Sequence, residues 1–104
     1  MNSERIKMLE EWIKENPNEP FNKYALAMEH SQVQPEKASE LFGELLTLHP
    51  DYLPTYYIAA SFFSYQGDQI HAIKILEKGI DLAQKQNNDK TLRELKSALE
   101  ELIF

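Results

Sequence analysis

A spacing of 34 residues relates two stretches of this chain, and it constrains the fold more than any other feature. Displacement by 34 positions pairs apolar residues in both stretches, namely Ala38 with Ala72, Phe42 with Leu76, Leu46 with Ile80, and Leu48 with Leu82. The segments before them align at a spacing of 35, which pairs Phe21 with Tyr56, Ala25 with Ala60, and Met28 with Phe63. Such a period is typical of stacked helical hairpins, each of which buries apolar surface against its neighbours.

The apolar residues within each segment have the spacing of an α-helix. They recur every three or four positions, as at Ile6, Leu9 and Ile13. Three prolines fall where a helix can begin without needing a backbone N–H, at positions 20, 35 and 54. Gly67 can take the left-handed conformation that ends a helix, and Asp68 can cap the next. The sequence therefore predicts six helices, at 3–15, 20–31, 35–48, 54–65, 69–86 and 90–103.

The composition fits one soluble domain and argues against several classes of partner. The chain has 104 residues, of which 42% are apolar and 27% are charged. A formal net charge of −6 disfavours nucleic acid and anionic membranes, since both carry negative charge. The chain contains no cysteine, no hydrophobic signal core and no apolar run of the ~18 residues that span a bilayer. We therefore expect a cytoplasmic protein that binds neither nucleic acid nor membrane.

The residues with catalytic or metal-binding chemistry form no recognisable motif. The histidines are His30, His49 and His71, and no two of them have the spacing that places two imidazoles on one helix face. The sequence also lacks a G-x-S-x-G turn and a phosphate-binding glycine-rich loop. A structural role accounts for His49 at a helix end and for His71 in a first helical turn. We expect no metal, no cofactor and no catalytic centre.

The repeated pattern resembles the tetratricopeptide-repeat family. The stronger copy, 53–86, carries the family's series of large, small and turn residues, at Tyr56, Ala59, Ala60, Phe63, Gly67, Asp68, Ala72 and Leu76. Gln84 replaces the closing proline of this copy, which predicts that the fifth helix is longer than usual. The weaker copy, 19–52, has the corresponding residues Phe21, Ala25, Met28, Ala38, Phe42 and Pro50.

The first helix is similar to the second half of a repeat. Four of its residues match the weaker copy at a spacing of 33, with Leu9, Trp12, Ile13 and Pro17 in the places of Phe42, Leu45, Leu46 and Pro50. The resemblance therefore implies an all-α domain over 1–104, built as a right-handed superhelical stack of antiparallel helix hairpins. Its parts are a half-repeat (1–18), two repeats (19–52 and 53–86) and a capping helix (87–104). Large residues at 21, 42, 56, 63 and 76 are expected to fill the spaces between helices.

The family also implies where a partner would bind. Its members line a concave groove with the first helix of each repeat, and the matching positions here are Asn22, Lys23, Leu26, Glu29, His30, Tyr57, Ser61, Ser64 and Tyr65. The resemblance thus predicts a non-enzymatic scaffold that binds a partner protein or peptide. The alternative is a structural or self-associating module, and the sequence leaves open a monomer or a weak homodimer. It also leaves open whether the last helix fills the groove.

The last residues of the sequence are apolar. Leu102 continues the inward leucine stripe of the sixth helix, whereas Ile103 and Phe104 lie beyond it. Exposure of both side chains to water is unfavourable. We expect Phe104 either to fold back on the fifth helix near Ile73 or Ile80, or to contact a second subunit.

Overall fold

A computed structural model describes residues 3–104, and this part of the chain consists of six α-helices and no strand. The helices are α1 (Ser3–Glu15), α2 (Pro20–His30), α3 (Pro35–Leu48), α4 (Pro54–Tyr65), α5 (Gln69–Lys85) and α6 (Asp89–Ile103). The prediction of an all-α chain with six helices is confirmed. Three predicted ends differ by one residue, since α2 and α5 end one residue earlier and α6 begins one residue earlier.

Local signals place the helix ends. Proline is the first residue of α2, α3 and α4, where its missing N–H costs no hydrogen bond. The Asp68 carboxylate accepts a hydrogen bond from the backbone N–H of His71 at 3.2 Å, which caps α5. Asn88 caps α6 in the same way, because its side-chain oxygen accepts from the N–H of Thr91 at 3.1 Å.

The turns after α4 and α5 use left-handed backbone. Gly67 has a φ of +90°, as predicted, and Asn87 has a φ of +56°. With no proline at position 84, α5 continues to Lys85 and reaches 17 residues, against 14 in α3. The predicted extension of the fifth helix is confirmed.

The chain divides into two compact units, Met1–Tyr52 and Leu53–Phe104. In the first unit, α1 packs on α2 and α2 packs on α3. Its core includes a cluster formed by Ile6, Leu9, Ala25 and Leu26, with Ile13 and Leu41 packed against it. The boundary after residue 52 coincides with the predicted boundary between the repeats. The single domain over 1–104 stays a prediction.

In the second unit, α5 packs on both α4 and α6, and α4 also contacts α6. At Gly79, α5 approaches both of its neighbours closely, because an added Cβ would lie 2.7 Å from the Cβ of Tyr56 and 3.2 Å from a Leu95 methyl group. Because glycine has no Cβ, the Tyr56 side chain of α4 packs directly against the backbone of α5.

Two expectations about large side chains are wrong. Phe21 does not fill a space between helices, because 49% of it is exposed, whereas its repeat counterpart Tyr56 is 4% exposed. Phe104 does not fold back on α5, because it is 98% exposed. Its backbone N–H still donates to the Glu100 carbonyl at 3.0 Å. Phe104 comes nine positions after the buried Leu95, which places it about half a turn away around the helix axis.

Candidate functional site

Four of the residues predicted to bind a partner meet in one pocket of the second unit. This pocket, of about 280 Å³, is called the α4 pocket. Its lining consists of Tyr57, Ala60, Ser61, Ser64, Tyr65, Leu76, Ala98, Glu101 and Leu102. Tyr57, Ser61, Ser64 and Tyr65 are the four that the sequence predicts, and α4 provides all of them.

Helical spacing explains why these four side chains share a side of α4. Positions 57, 61 and 65 are four residues apart, and 64 is three after 61 and seven after 57, so the four side chains project from one side of the helix. The opposite side of α4 is buried, with Thr55, Tyr56, Ala59, Phe62 and Phe63 in the interior. Packing of that apolar side therefore turns the tyrosines and serines outward. Tyr65 and Tyr57 are both exposed.

The last helix forms a wall of the α4 pocket and leaves the pocket open. Ala98, Glu101 and Leu102 of α6 lie across from α4, and Leu76 of α5 contributes to the lining between them. The sequence had left open whether this helix fills the groove. Glu101 is the charged member of the lining, and the remaining side chains supply hydroxyl groups and apolar surface.

The other five predicted residues lie on α2 of the first unit, where they are buried, partly buried or in ion pairs. Leu26 and His30 are buried, and Asn22 is partly buried. The ammonium of Lys23 lies 3.7 Å from an oxygen of Glu44, and a Glu29 oxygen lies 2.7 Å from the Arg5 Nε. Lys23 and Glu29 are therefore engaged in ion pairs within the unit, and Leu26 and His30 lie in its interior. Their role toward a partner stays a prediction.

His30 is an interior histidine. It is 3% exposed, and its Nδ1 has no hydrogen-bond partner. Burial lowers the pKa of His30, and the positive charge of Lys37 lowers it further, whereas Glu10 and Glu29 act in the opposite direction. The imidazole is consequently neutral at neutral pH. The family resemblance assigned His30 to the groove by its matching position, and such a match does not show whether the position is buried in this chain.

Sequence reasoning missed a second pocket, which lies in the first unit and is called the α2 pocket. It has a volume of about 460 Å³, and its lining consists of Arg5, Phe21, Tyr24, Ala25, Met28, Glu29, Ser31, Gln32 and Val33. Phe21, Tyr24 and Met28 are three or four positions apart along α2, and this spacing could have indicated that they share one face of the helix. The repeat alignment had assigned Phe21 to the interior. Burial raises the pKa of Tyr24, which therefore stays protonated and neutral at physiological pH.

Residues 3–104 contain no group of three or more histidine, aspartate or glutamate side chains placed to hold a metal ion. The His71 ring packs tilted against the Phe63 ring, with 4.1 Å between the ring centres, and its Nδ1 lies 3.6 Å from an Asp68 oxygen. These contacts fit a structural role at the start of α5. Over the same residues, every helix is too short or too polar to cross a bilayer.

Solved structures show what the chain is similar to. A tetratricopeptide repeat domain protein from Salinibacter ruber is 34% identical, and its solution structure matches 85% of this chain and 90% of its own with a TM-score of 0.79. A crystal structure of the same domain matches 81% of this chain and 96% of its own, again at 34% identity, with a TM-score of 0.75. A Bordetella parapertussis protein, 20% identical, shares the fold over 93% of this chain and 85% of its own, with a TM-score of 0.77. No protein-family model matches the sequence, and no curated protein matches it closely.

Proposed function

The chain belongs to the tetratricopeptide-repeat family, and we propose that it is a non-enzymatic adaptor that binds a peptide of a partner protein in the α4 pocket. The observation that carries the proposal is the convergence of Tyr57, Ser61, Ser64 and Tyr65 on that pocket. The proposed setting is the cytoplasm, and the absence of cysteine is compatible with a reducing compartment.

The chemistry of the α4 pocket suits a peptide side chain. Its volume of about 280 Å³ is at the lower limit of small-molecule sites and is large enough for one bulky residue. Leu76 and Ala98 give that residue apolar contact. Tyrosine buries much area with little loss of rotamer freedom, and the serine hydroxyls can bond to a peptide backbone. Glu101 favours a basic residue next to the anchor.

A double substitution in the pocket tests the proposal. Peptides selected from a random library on the wild-type protein should lose at least about tenfold in affinity for Tyr57→Ala/Tyr65→Ala, because two aromatic contacts disappear. Isothermal titration calorimetry measures the change. The matched control is Ile70→Ala, which removes an exposed apolar side chain outside the pocket. Equal affinity for wild type and the double variant would refute peptide binding in the α4 pocket.

Self-association is the second candidate function, and the exposed C-terminal residues favour it. The Phe104 side chain is almost fully exposed to solvent and that of Ile103 is half exposed. A second subunit could bury both side chains. Sedimentation velocity over a range of concentrations tests this idea. Deletion of Ile103 and Phe104 should convert a dimer to a monomer. A wild-type protein that sediments as a monomer at all concentrations would remove this candidate.

A further inference from the structure

The α4 pocket has a charged end and an uncharged end. The turns on either side of α5 are short, so α5 runs antiparallel to both neighbours, and α4 and α6 run in the same direction. α4 begins at Pro54, and Tyr65 comes eleven residues later. α6 begins at Asp89, and Glu101 comes twelve residues later. Tyr65 and Glu101 therefore lie at the same end of the pocket that both residues line, whereas Tyr57 lies about 12 Å away from Tyr65 along the helix axis.

The Glu101 carboxylate has no cationic partner in its own unit. The positions three and four residues before it on α6, from which a helical neighbour could pair with it, hold Ala98 and Ser97. Glu100, directly before it, has Lys96 at that spacing. Among the described residues 3–104, no lysine, arginine or histidine forms an ion pair with Glu101. The pocket therefore presents an unpaired negative charge.

The Tyr65 ring offers a free aromatic face at the same end of the pocket. It is 88% exposed, and it packs on no other aromatic ring within the part of the chain that the structure describes. Phe62 and Phe63 of the same helix, by contrast, are buried against each other. The face of an aromatic ring attracts a cation because its π electrons carry partial negative charge. Tyr65 and Glu101 thus attract the same class of ligand.

We infer that this end of the α4 pocket binds an arginine side chain, which the partner peptide carries within two residues of its bulky apolar residue. The inference rests on the proposed adaptor function and specifies the partner. The guanidinium stacks on Tyr65 and donates hydrogen bonds to Glu101, and the alkyl stem of the arginine lies along Leu102. The apolar residue lies toward Tyr57. A spacing of two residues separates side chains on one face of an extended peptide by about 7 Å, and the long arginine side chain spans the rest.

Arginine fits this end of the pocket better than lysine does. Its guanidinium is planar and weakly hydrated, so it can stack on a ring at the surface while its N–H groups point toward a carboxylate. The ammonium of lysine is compact and strongly hydrated. Tyr65 and Glu101 are both exposed, so they replace little of that hydration. An acidic side chain is disfavoured by repulsion from Glu101.

A second copy of these 104 residues does not provide such an arginine. The sequence has two arginines, Arg5 and Arg93. The Arg5 Nε lies 2.7 Å from a Glu29 oxygen. Arg93 lies within α6, two residues before the buried Leu95, so it cannot be presented on an extended segment. The arginine that binds the α4 pocket therefore belongs to a different segment of protein.

Selection from a random peptide library is the first test. Peptides are selected on the wild type, on Glu101→Gln and on Glu100→Gln. The two variants remove the same charge one residue apart, and Glu100 lies outside the pocket lining. We expect arginine to be enriched near a bulky apolar residue on the wild type and on Glu100→Gln. The enrichment should be lost on Glu101→Gln, and sequencing of the selected peptides measures it.

Affinities of one selected peptide then isolate the charge of the arginine, because citrulline has the same shape without the charge. On the wild type, replacement of that arginine by citrulline should weaken binding about tenfold, since an exposed ion pair and an exposed cation–π contact each contribute up to about fivefold. On Glu101→Gln the loss should fall to about threefold, and Glu100→Gln should retain about tenfold. On Tyr65→Leu, arginine and lysine should bind equally well. Isothermal titration calorimetry measures these affinities.

Three results would overturn the inference, and they separate its failure from that of the adaptor function. Selected peptides that lose affinity for Tyr57→Ala/Tyr65→Ala but show no excess of arginine would refute the inference and leave the adaptor function standing. An arginine excess that persists on Glu101→Gln would come from the overall negative charge of the protein and would refute the inference in the same way. Peptides that bind the double variant as well as the wild type would refute both.

Discussion

The two units of this chain contain three helices each, but they begin at different points of the repeat. By the repeat register, the first unit contains a second helix, a first helix and another second helix. The second unit begins with a first helix, α4, which covers α5 and faces α6. As a result, Tyr56 is buried while its counterpart Phe21 is half exposed. A large aromatic side chain at this position of the repeat is therefore part of the core in the second unit and part of the surface in the first.

The largest expected difference between the units comes from removal of these two aromatic rings. Tyr56→Ala should lower the free energy of unfolding by about 3 to 5 kcal/mol, because a buried ring leaves a cavity. Phe21→Ala should lower the free energy of unfolding by well under half as much, because the ring is already half exposed to solvent. Urea denaturation followed by circular dichroism measures both values. Equal losses would show that the two positions do not differ in burial.

The second prediction compares two mid-helix glycines. In Gly79→Ala the new Cβ would meet Tyr56, and this overpacking should cost about 1 to 3 kcal/mol. Gly43→Ala is the matched control, since nothing lies within 4 Å of its Cβ position. That variant should gain about 0.5 to 1 kcal/mol from helix propensity. Melting temperatures should therefore move in opposite directions, and a rise in both would contradict the close approach of α4 and α5.

The third prediction uses His30, the buried histidine of the first unit. Its folded-state pKa lies below the unfolded value, so the unfolded state binds the proton more readily. Stability is therefore fully present above the unfolded pKa of about 6.5 and declines as the pH falls below it, until the folded pKa is passed. Denaturation of wild type and His30→Gln between pH 7 and 5 measures this slope. We expect the slope to be smaller in the variant, and an equal slope in the two proteins would contradict the effect of burial on His30.

The smallest predicted effect concerns the helix caps. Asn88→Ala removes the hydrogen bond to the Thr91 N–H and should cost about 1 kcal/mol. Gln34 occupies the same position before α3 without a capping hydrogen bond from its side chain. Gln34→Ala should thus change the free energy of unfolding little, and Gln34→Asp should increase it. Thermal melts of the three variants compare them, and a loss in Gln34→Ala as large as in Asn88→Ala would contradict the difference.

The secondary structure was predictable because its signals act over one helical turn. Pro54 and Asp68 place the starts of α4 and α5 through their own backbone and side-chain geometry. The lining of the α4 pocket was predictable only on α4, where the family resemblance assigns Tyr57 and Tyr65 to the groove and their spacing of eight places them on one face of the helix. The contribution of Glu101 could not be predicted, because it depends on where α6 packs.

The sequence by itself determined the six helices, their ends and the repeat that relates them, since prolines, caps and apolar spacing each operate over a few residues. Tertiary structure alone decided which large side chains are covered. Phe21 and Tyr56 have equivalent places in the repeat, and His30 and Tyr65 were both assigned to one groove. Burial depends on whether a neighbouring helix lies opposite, and that is a property of the packed chain. In the packed chain, His30 is therefore buried, Phe104 is exposed to solvent, and the α4 pocket is open.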